Sequence, residues 1–298
     1  MEELLAEIST ARIKDHIAHL EGVRHPQAAP DNLEQAALYI ETCLRGYGYD
    51  VERQPFFDNG EEYRNLLATL PGSEQPEKRL LVVAHYDTVA VSPGADDNAS
   101  GVAVLLELAR VLHNSGPALT LQFAAVNLEE NERLDPPTGS GLRGSSALAK
   151  HAADQGWLIN GVIVLESVAY AGPQAVQTAP KGLPLEVPET GDFIAVIGNT
   201  LSAGLVQSFL QAADRHQPDL PKLPLIVPGN GEVVPDTRRS DHAPFWDGGY
   251  PAIMLTDTTN FRNPHYHTPG DTLDTLNLDF ATAVCRATAG LILKLTGD

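Results

Sequence analysis

Four short stretches of this chain concentrate side chains able to hold a cation or move a proton. The first is His85-Tyr86-Asp87, an imidazole and a carboxylate two positions apart, directly after the unbroken apolar run Leu80–Ala84. Residues i and i+2 of an extended chain point the same way, so Asp87 can hold one ring nitrogen of His85 and leave the other for a metal ion. The second is Pro93-Gly94-Ala95-Asp96-Asp97-Asn98-Ala99-Ser100-Gly101, a tight acidic loop opening onto a helix. A helix N-cap accounts for one acid there, less naturally for two in succession. A carboxylate has two oxygens, and in a rigid loop it can bridge two cations. The third is Glu129-Glu130 after the apolar segment Leu121–Leu128. Neighbours in an extended chain face opposite ways, so one carboxylate can ligate while the other takes a proton from water. The fourth is Tyr266-His267-Thr268-Pro269-Gly270-Asp271-Thr272, preceded by Arg239-Ser240-Asp241-His242.

Each stretch alone has an ordinary reading as strand terminator, helix cap, solvated acidic turn or structural histidine. Their weight comes from the elements that must present them. Leu80–Ala84, Leu121–Leu128 and Val162–Leu165 are apolar runs expected of strands buried on both faces, and each is followed at once by an acid or a histidine, the third by Glu166. Further strands are expected at Val51–Phe57, Arg64–Leu70, Phe193–Ile197, Leu223–Val227 and Ala252–Thr256. Helices are expected at the amphipathic N-terminus, at Asp31–Arg45 with Asp31 as N-cap, near Ser100–His113, at Leu201–Arg215 and at Leu278–Leu295. Strands alternating with helices predict an α/β sandwich with a largely parallel central sheet. In such sheets ligands bind beyond the carboxyl ends of the strands, where His85, Glu129, Glu130 and Glu166 fall. The segments Asp135–Ser145, Ala171–Gly191 and Pro228–Asp236 read as loops that wall a cleft.

Composition narrows the function class. The 298 residues carry a formal net charge of −19 and no cluster of Lys and Arg, which argues against a nucleic-acid partner. No apolar run approaches the ~18 residues of a membrane span, and no secretory signal is visible at the N-terminus. The expected location is cytoplasmic, or secreted if a signal was removed. Cys43 and Cys285 are too few for a disulfide framework or a sulfur-ligated metal, and read as two buried thiols. Gly139-Ser140-Gly141-Leu142-Arg143-Gly144 matches a dinucleotide fingerprint in letters only, because it follows two prolines rather than a strand.

In their order along the chain, HYD, GADDNASG, EE, a strand-terminal acid, SDH.PF and YHTPGDT, these motifs resemble the M28 family of zinc peptidases over nearly the whole chain. The resemblance implies one peptidase domain over residues 1–298, a three-layer α/β sandwich of the zinc-dependent exopeptidase type with a mixed, largely parallel central sheet flanked by helices. It implies two Zn²⁺ ions, with Mn²⁺ or Co²⁺ as alternatives for such oxygen and nitrogen donors. Asp97 would bridge them, His85 and Glu166 would complete one site, and Glu130 and His267 the other. Asp87 would orient His85, and Glu129 would act as general base. Tyr266 and Arg239 match positions that polarise the scissile carbonyl or contact substrate. The implied substrate is a peptide with a free N-terminus. Position 166 departs from the better-known aminopeptidases, which carry Asp there; the longer Glu keeps an oxygen donor. The rival readings are a one-zinc acyltransferase similar to glutaminyl cyclase and a non-catalytic binding domain of the same fold.

Overall fold

The computed structural model describes residues 2–130, 141–183 and 186–297. Its elements are α1 (Glu2–Ala6), α2 (Thr10–Leu20), α3 (Pro30–Gly46), β1 (Val51–Asp58), β2 (Glu61–Leu70), β3 (Gln75–His85), α4 (Gly101–Leu112), β4 (Leu119–Val126), α5 (Arg143–Asp154), β5 (Leu158–Glu166), β6 (Ile194–Asn199), α6 (Ala203–His216), β7 (Lys222–Val227), α7 (Ala243–Asp247), β8 (Ala252–Thr256) and α8 (Leu278–Leu295). The eight strands form one sheet in the order β1-β2-β4-β3-β5-β8-β6-β7. The central four, β4, β3, β5 and β8, run parallel, whereas β1–β2, β2–β4 and β6–β8 pair antiparallel. The sheet is therefore mixed, and helices cover both of its faces.

Period-two alternation divides the strand residues between two cores. Leu80, Val82 and Ala84 of β3 pack with the helical layer that includes α2, α3, α4, α6 and α8. Leu81 and Val83 point the other way, into a smaller core with Leu148 and Ala149 of α5 and Phe245 and Trp246 of α7. Burial on both faces is why the central strands are uninterrupted apolar runs. It also brings the carboxyl ends of four parallel strands, at His85, Val126, Glu166 and Thr256, to one edge of the sheet.

Several boundaries differ from the sequence-based expectation. Helix α3 starts at Pro30 with Ala29 in the N-cap position, so Asp31 sits in the first turn and is not the cap. Strand β3 begins at Gln75, its exposed polar start extending past the apolar run. Strand β4 ends at Val126, and Leu128 turns into the left-handed region with φ 55°, so Glu129 and Glu130 leave from a loop and not from the strand itself. The expected loop Asp135–Ser145 falls outside the described residues up to position 140, and from Arg143 it is helix α5. Both cysteines are free, Cys285 buried and Cys43 partly so. Among the described residues no helix is long and apolar enough to cross a membrane.

Candidate metal centre

The sheet edge collects its polar side chains through four connections. His85 is the last residue of β3, and its ring is fully buried. Asp87, two residues on, faces the ring with Oδ1 3.5 Å from Nδ1. The same carboxylate accepts the backbone N–H groups of both Glu129 and Glu130, each at 3.1 Å, and so fixes the loop that carries them. Asp271 does the equivalent for the acidic loop, accepting the N–H groups of Asp96 at 2.9 Å and Asp97 at 3.2 Å. That loop lies against the end of β5: the Asn98 amide donates to the Leu165 carbonyl, and a Cβ at Gly101 would stand 2.6 Å from the same carbonyl oxygen. Glu166 ends β5, and its Oε2 accepts the Ser240 hydroxyl at 2.6 Å. His267 occupies a left-handed turn at φ 57°, its ring stacked on Tyr266.

Together these connections assemble two triads of donor atoms: His85, Glu129 and Glu166, and Asp97, Glu130 and His267. Asp97 joins them. Its Oδ1 is 3.3 Å from Nε2 of His85, and its Oδ2 is 3.2 Å from Nε2 of His267. Glu166 Oε2 lies 3.5 Å from the same His85 nitrogen, and Glu130 Oε2 lies 3.2 Å from that of His267. Glu129 and Glu130 fall in different triads, and they leave from the loop after Leu128 and not from the strand.

The donors fit divalent cations on their own geometry. Both ring nitrogens of His85, Nε2 of His267 and Oε1 of Glu130 are buried without a hydrogen-bond partner, a costly condition for polar atoms. Nitrogen–oxygen separations of 3.2–3.5 Å without hydrogen-bond alignment match two ligands of one tetrahedral ion, which bonds of ~2.0–2.1 Å place about 3.3 Å apart. Charge points the same way. Burial opposes ionisation of His85, and Glu166 and Glu129 outweigh it, holding the imidazole well above its usual range. Burial and Asp97 push the Glu130 carboxyl up to about 7, and burial pushes Glu129 well above the usual carboxylate range. Burial also opposes ionisation of Asp97, but the two histidines hold it below that range.

Beside the centre opens a pocket with an empty volume, open mouth included, of about 820 Å³. Asp97, Glu129 and Glu166 border one end of it, and Leu183, Ile197, Leu223, Leu225 and Met254 line its apolar part. Tyr266 and Arg239 stand on its wall, with an Arg239 Nη2 donating to the Tyr266 hydroxyl at 3.1 Å. The sequence expectation brought His85, Asp87, Asp97, Glu129, Glu130, Glu166, His267, Tyr266 and Arg239 to one site, and the structure places all of them there. It missed Arg24, whose buried guanidinium sits behind the centre, and the supporting roles of Ser240 and Asp271 within quoted motifs. The pocket residues gave no sequence signal distinct from that of core strands.

Comparison with known proteins gives the centre a context. The sequence profile of peptidase family M28 matches residues 65–292. An uncharacterized Escherichia coli protein, YfbL, is 34% identical over 281 residues, covering 90% of this chain and 83% of its own. A probable zinc metalloprotease of Leptosphaeria maculans is 28% identical, over 67% of this chain and 48% of its own length. Among solved structures, the LapA aminopeptidase of Legionella pneumophila superposes with a TM-score of 0.76 at 19% identity, over 99% of this chain and 74% of the other. The glutaminyl cyclase of Porphyromonas gingivalis superposes with a TM-score of 0.74 at 20% identity, over 97% and 99%. At these identities both superpositions speak for the fold alone.

Proposed function

Because the chain belongs to peptidase family M28, we propose that it is a two-zinc aminopeptidase, with His85, Asp97 and Glu166 holding one ion, Asp97, Glu130 and His267 the other, and Glu129 serving as general base. The observation that carries this reading is the orientation of Asp97, whose two oxygens address two different histidines at 3.3 and 3.2 Å. An ion beside each histidine would use both oxygens, which favours two ions over the single ion of the glutaminyl cyclase-like alternative. Two ions so held supply Lewis-acid charge that makes water acidic near neutral pH and stabilises negative charge on the attacked carbonyl.

The side chains supply the rest. Glu129, buried at the pocket's edge, takes the proton of the attacking water and returns it to the leaving amine. Tyr266 accepts its hydrogen bond from Arg239, which leaves its own O–H free to donate to the carbonyl oxygen. Arg239 is in turn held by Asn260 at 2.9 Å and Asp236 at 3.5 Å. Carboxylate oxygens of Asp97, Glu129 and Glu166 at the end of the pocket can accept hydrogen bonds from a free α-amino group, and the apolar part receives the first side chain of the peptide.

Two expected results follow from that pocket and its supports. Leucyl and methionyl test substrates are cleaved with kcat/KM roughly 10–100-fold above glycyl and aspartyl ones, since burying a large aliphatic side chain is worth about 1.5–3 kcal/mol. A flat profile, or a preference for acidic residues, rejects this use of the pocket. Ser240→Ala frees Glu166 from its 2.6 Å hydrogen bond. Zinc affinity measured by chelator competition then weakens about 10-fold, the low end of the range for such supporting partners, and unchanged affinity rejects Ser240 as a support of the Glu166 carboxylate.

The reading as a whole is tested by elemental analysis of the purified protein, followed by an aminoacyl-substrate panel with and without chelator and a peptide with N-terminal Gln. About two zinc ions per chain and chelator-sensitive release of single N-terminal residues support it. One zinc per chain with cyclisation of Gln and no cleavage assigns the glutaminyl cyclase-like chemistry instead, and failure to bind any divalent ion assigns a non-catalytic domain.

A further inference from the structure

We propose that Arg24 is a positioning residue for the metal centre, its guanidinium fixing the distance between the segment that carries His85 and the loop that carries Asp97. The proposal rests on the metal reading of those two residues. Arg24 is 2% exposed, in the connection between α2 and α3. Its Nε donates to the Tyr86 carbonyl at 2.8 Å, which belongs to the peptide group joining Tyr86 to Asp87. Its Nη2 donates to the Gly94 carbonyl at 3.0 Å, and Nη1 reaches the Pro93 and Gly22 carbonyls, each at 2.9 Å, and that of Leu20. One planar group thus grips the strand end and the start of the acidic loop at once.

The backbone around it reinforces the same connection. The Arg24 N–H donates to Thr88 Oγ1 at 2.8 Å, the Thr88 N–H donates back to the Arg24 carbonyl at 3.2 Å, and the Gly22 N–H donates to the Pro93 carbonyl at 2.8 Å. Gly94 itself is left-handed at φ 60°, and a Cβ there would stand 2.9 Å from Arg24 Nη2, so the loop closes directly on the guanidinium. The hydrogen bonds of the guanidinium given above all go to carbonyls, although Asp87, Asp271, Asp97 and Glu130 all act on its charge. A group that served only to neutralise the acids would bond a carboxylate. This one spends its fork on main-chain spacing, a task for which the three donors of a lysine, radiating from one point, are the wrong shape.

The test compares full-length wild type, Arg24→Lys and Arg24→Met, each stripped of metal and checked for a folded state by circular dichroism. Zinc affinity is measured by competition with a chromophoric chelator, and kcat and KM are measured after reloading. Both variants are expected to bind zinc at least about 10-fold more weakly, with kcat reduced and KM little changed, and lysine is expected to do no better than methionine. Leu291→Ala, in the core of α8, controls for general destabilisation and is expected to lower the melting temperature without changing zinc affinity. Wild-type affinity in both Arg24 variants, full rescue by lysine, or an equal affinity loss in Leu291→Ala overturns the proposal. If the Arg24 variants do not fold, Thr88→Val, which removes only the hydroxyl held by the Arg24 N–H, is expected to weaken zinc binding about 2–5-fold, a loss at the low end for one buried hydrogen bond; an unchanged affinity there overturns it. Failure of the wild-type chain to take up zinc overturns the metal reading and this proposal together, whereas wild-type uptake with unaltered variants overturns this proposal alone.

Discussion

Replacing Glu129 by alanine lowers kcat for a leucyl test substrate by ~10²–10⁴-fold, the usual contribution of a positioned general base, while KM and zinc content stay near wild type. Glu129→Gln, which keeps the shape and cannot accept the proton, loses a similar factor. Asp87 holds the backbone N–H groups of residues 129 and 130 with its two oxygens, so the Glu129 side chain leaves a fixed point. Burial, opposed by His85 and aided by Glu166, raises the proton affinity of its carboxyl well above the ordinary value, which suits a group that must take a proton and give it back. The competing role is that of a ligand, because a Glu129 oxygen lies within the donor cluster of His85 and Glu166. Elemental analysis of Glu129→Ala separates the two. Loss of one zinc along with activity makes Glu129 a ligand, and near-native turnover with full metal content removes it from the mechanism.

The centre was legible in the sequence because its residues punctuate strands. His85 and Glu166 each terminate an apolar run, and a parallel sheet brings such ends together whatever the length of chain between them. Glu129 and Glu130 were legible for the same reason, although their route through the left-handed Leu128 was not. What escaped is what depends on partners far away in the chain. Arg24 is a single basic residue between Val23 and His25, and nothing local marks it. Its hydrogen bonds to Tyr86, Pro93 and Gly94 span 62 to 70 residues. Asp271 secures Asp96 and Asp97 across 175 and 174 residues. The pocket was hidden differently: Ile197, Leu223 and Met254 have the apolar character of core strand residues, and only the three-dimensional arrangement leaves their face partly uncovered. Helix α5 was passed over because Arg143-Gly144-Ser145-Ser146, its first turn, continues the composition of the preceding loop.

Stripping the metal with a chelator abolishes peptide cleavage, and the stripped protein melts at lower temperature as the pH is raised from 5 to 8. The loaded protein is less sensitive, so the gap between the two widens over that interval. The cause is the proton affinity of the acids that crowd the centre. Burial raises Glu130 and Asp241 to about 7, Asp257 to about 6 and Asp271 to about 8, against unfolded values near 4. Burial opposes a charge on His267, but Asp97 and Glu130 carry it to about 10, against ~6.5 unfolded. In every one of these groups the folded state holds its proton more tightly than the unfolded state does. Between the unfolded and the folded value the native chain therefore binds more protons, and stability falls as pH rises. Asp97 is displaced the other way, held below the usual range, and is ionised throughout this window, so it adds no slope. His16 and His242, lowered by burial to about 4, oppose the trend below pH ~6.5, and being shared by the stripped and loaded protein they leave the gap between the two unchanged. Bound cations take over the compensation that protons provide, which ties their stabilising effect to higher pH. With a kilocalorie shifting the melting point of a chain of this size by ~2–4 °C, the gap is expected to widen by on the order of 5 °C between pH 5 and pH 8, read by thermal denaturation with and without one added equivalent of chelator per ion. A gap that stays constant, or a stripped protein that grows more stable as pH rises, would show that these carboxyls are not held protonated against one another in the native state and would remove the electrostatic argument for a cation at their centre.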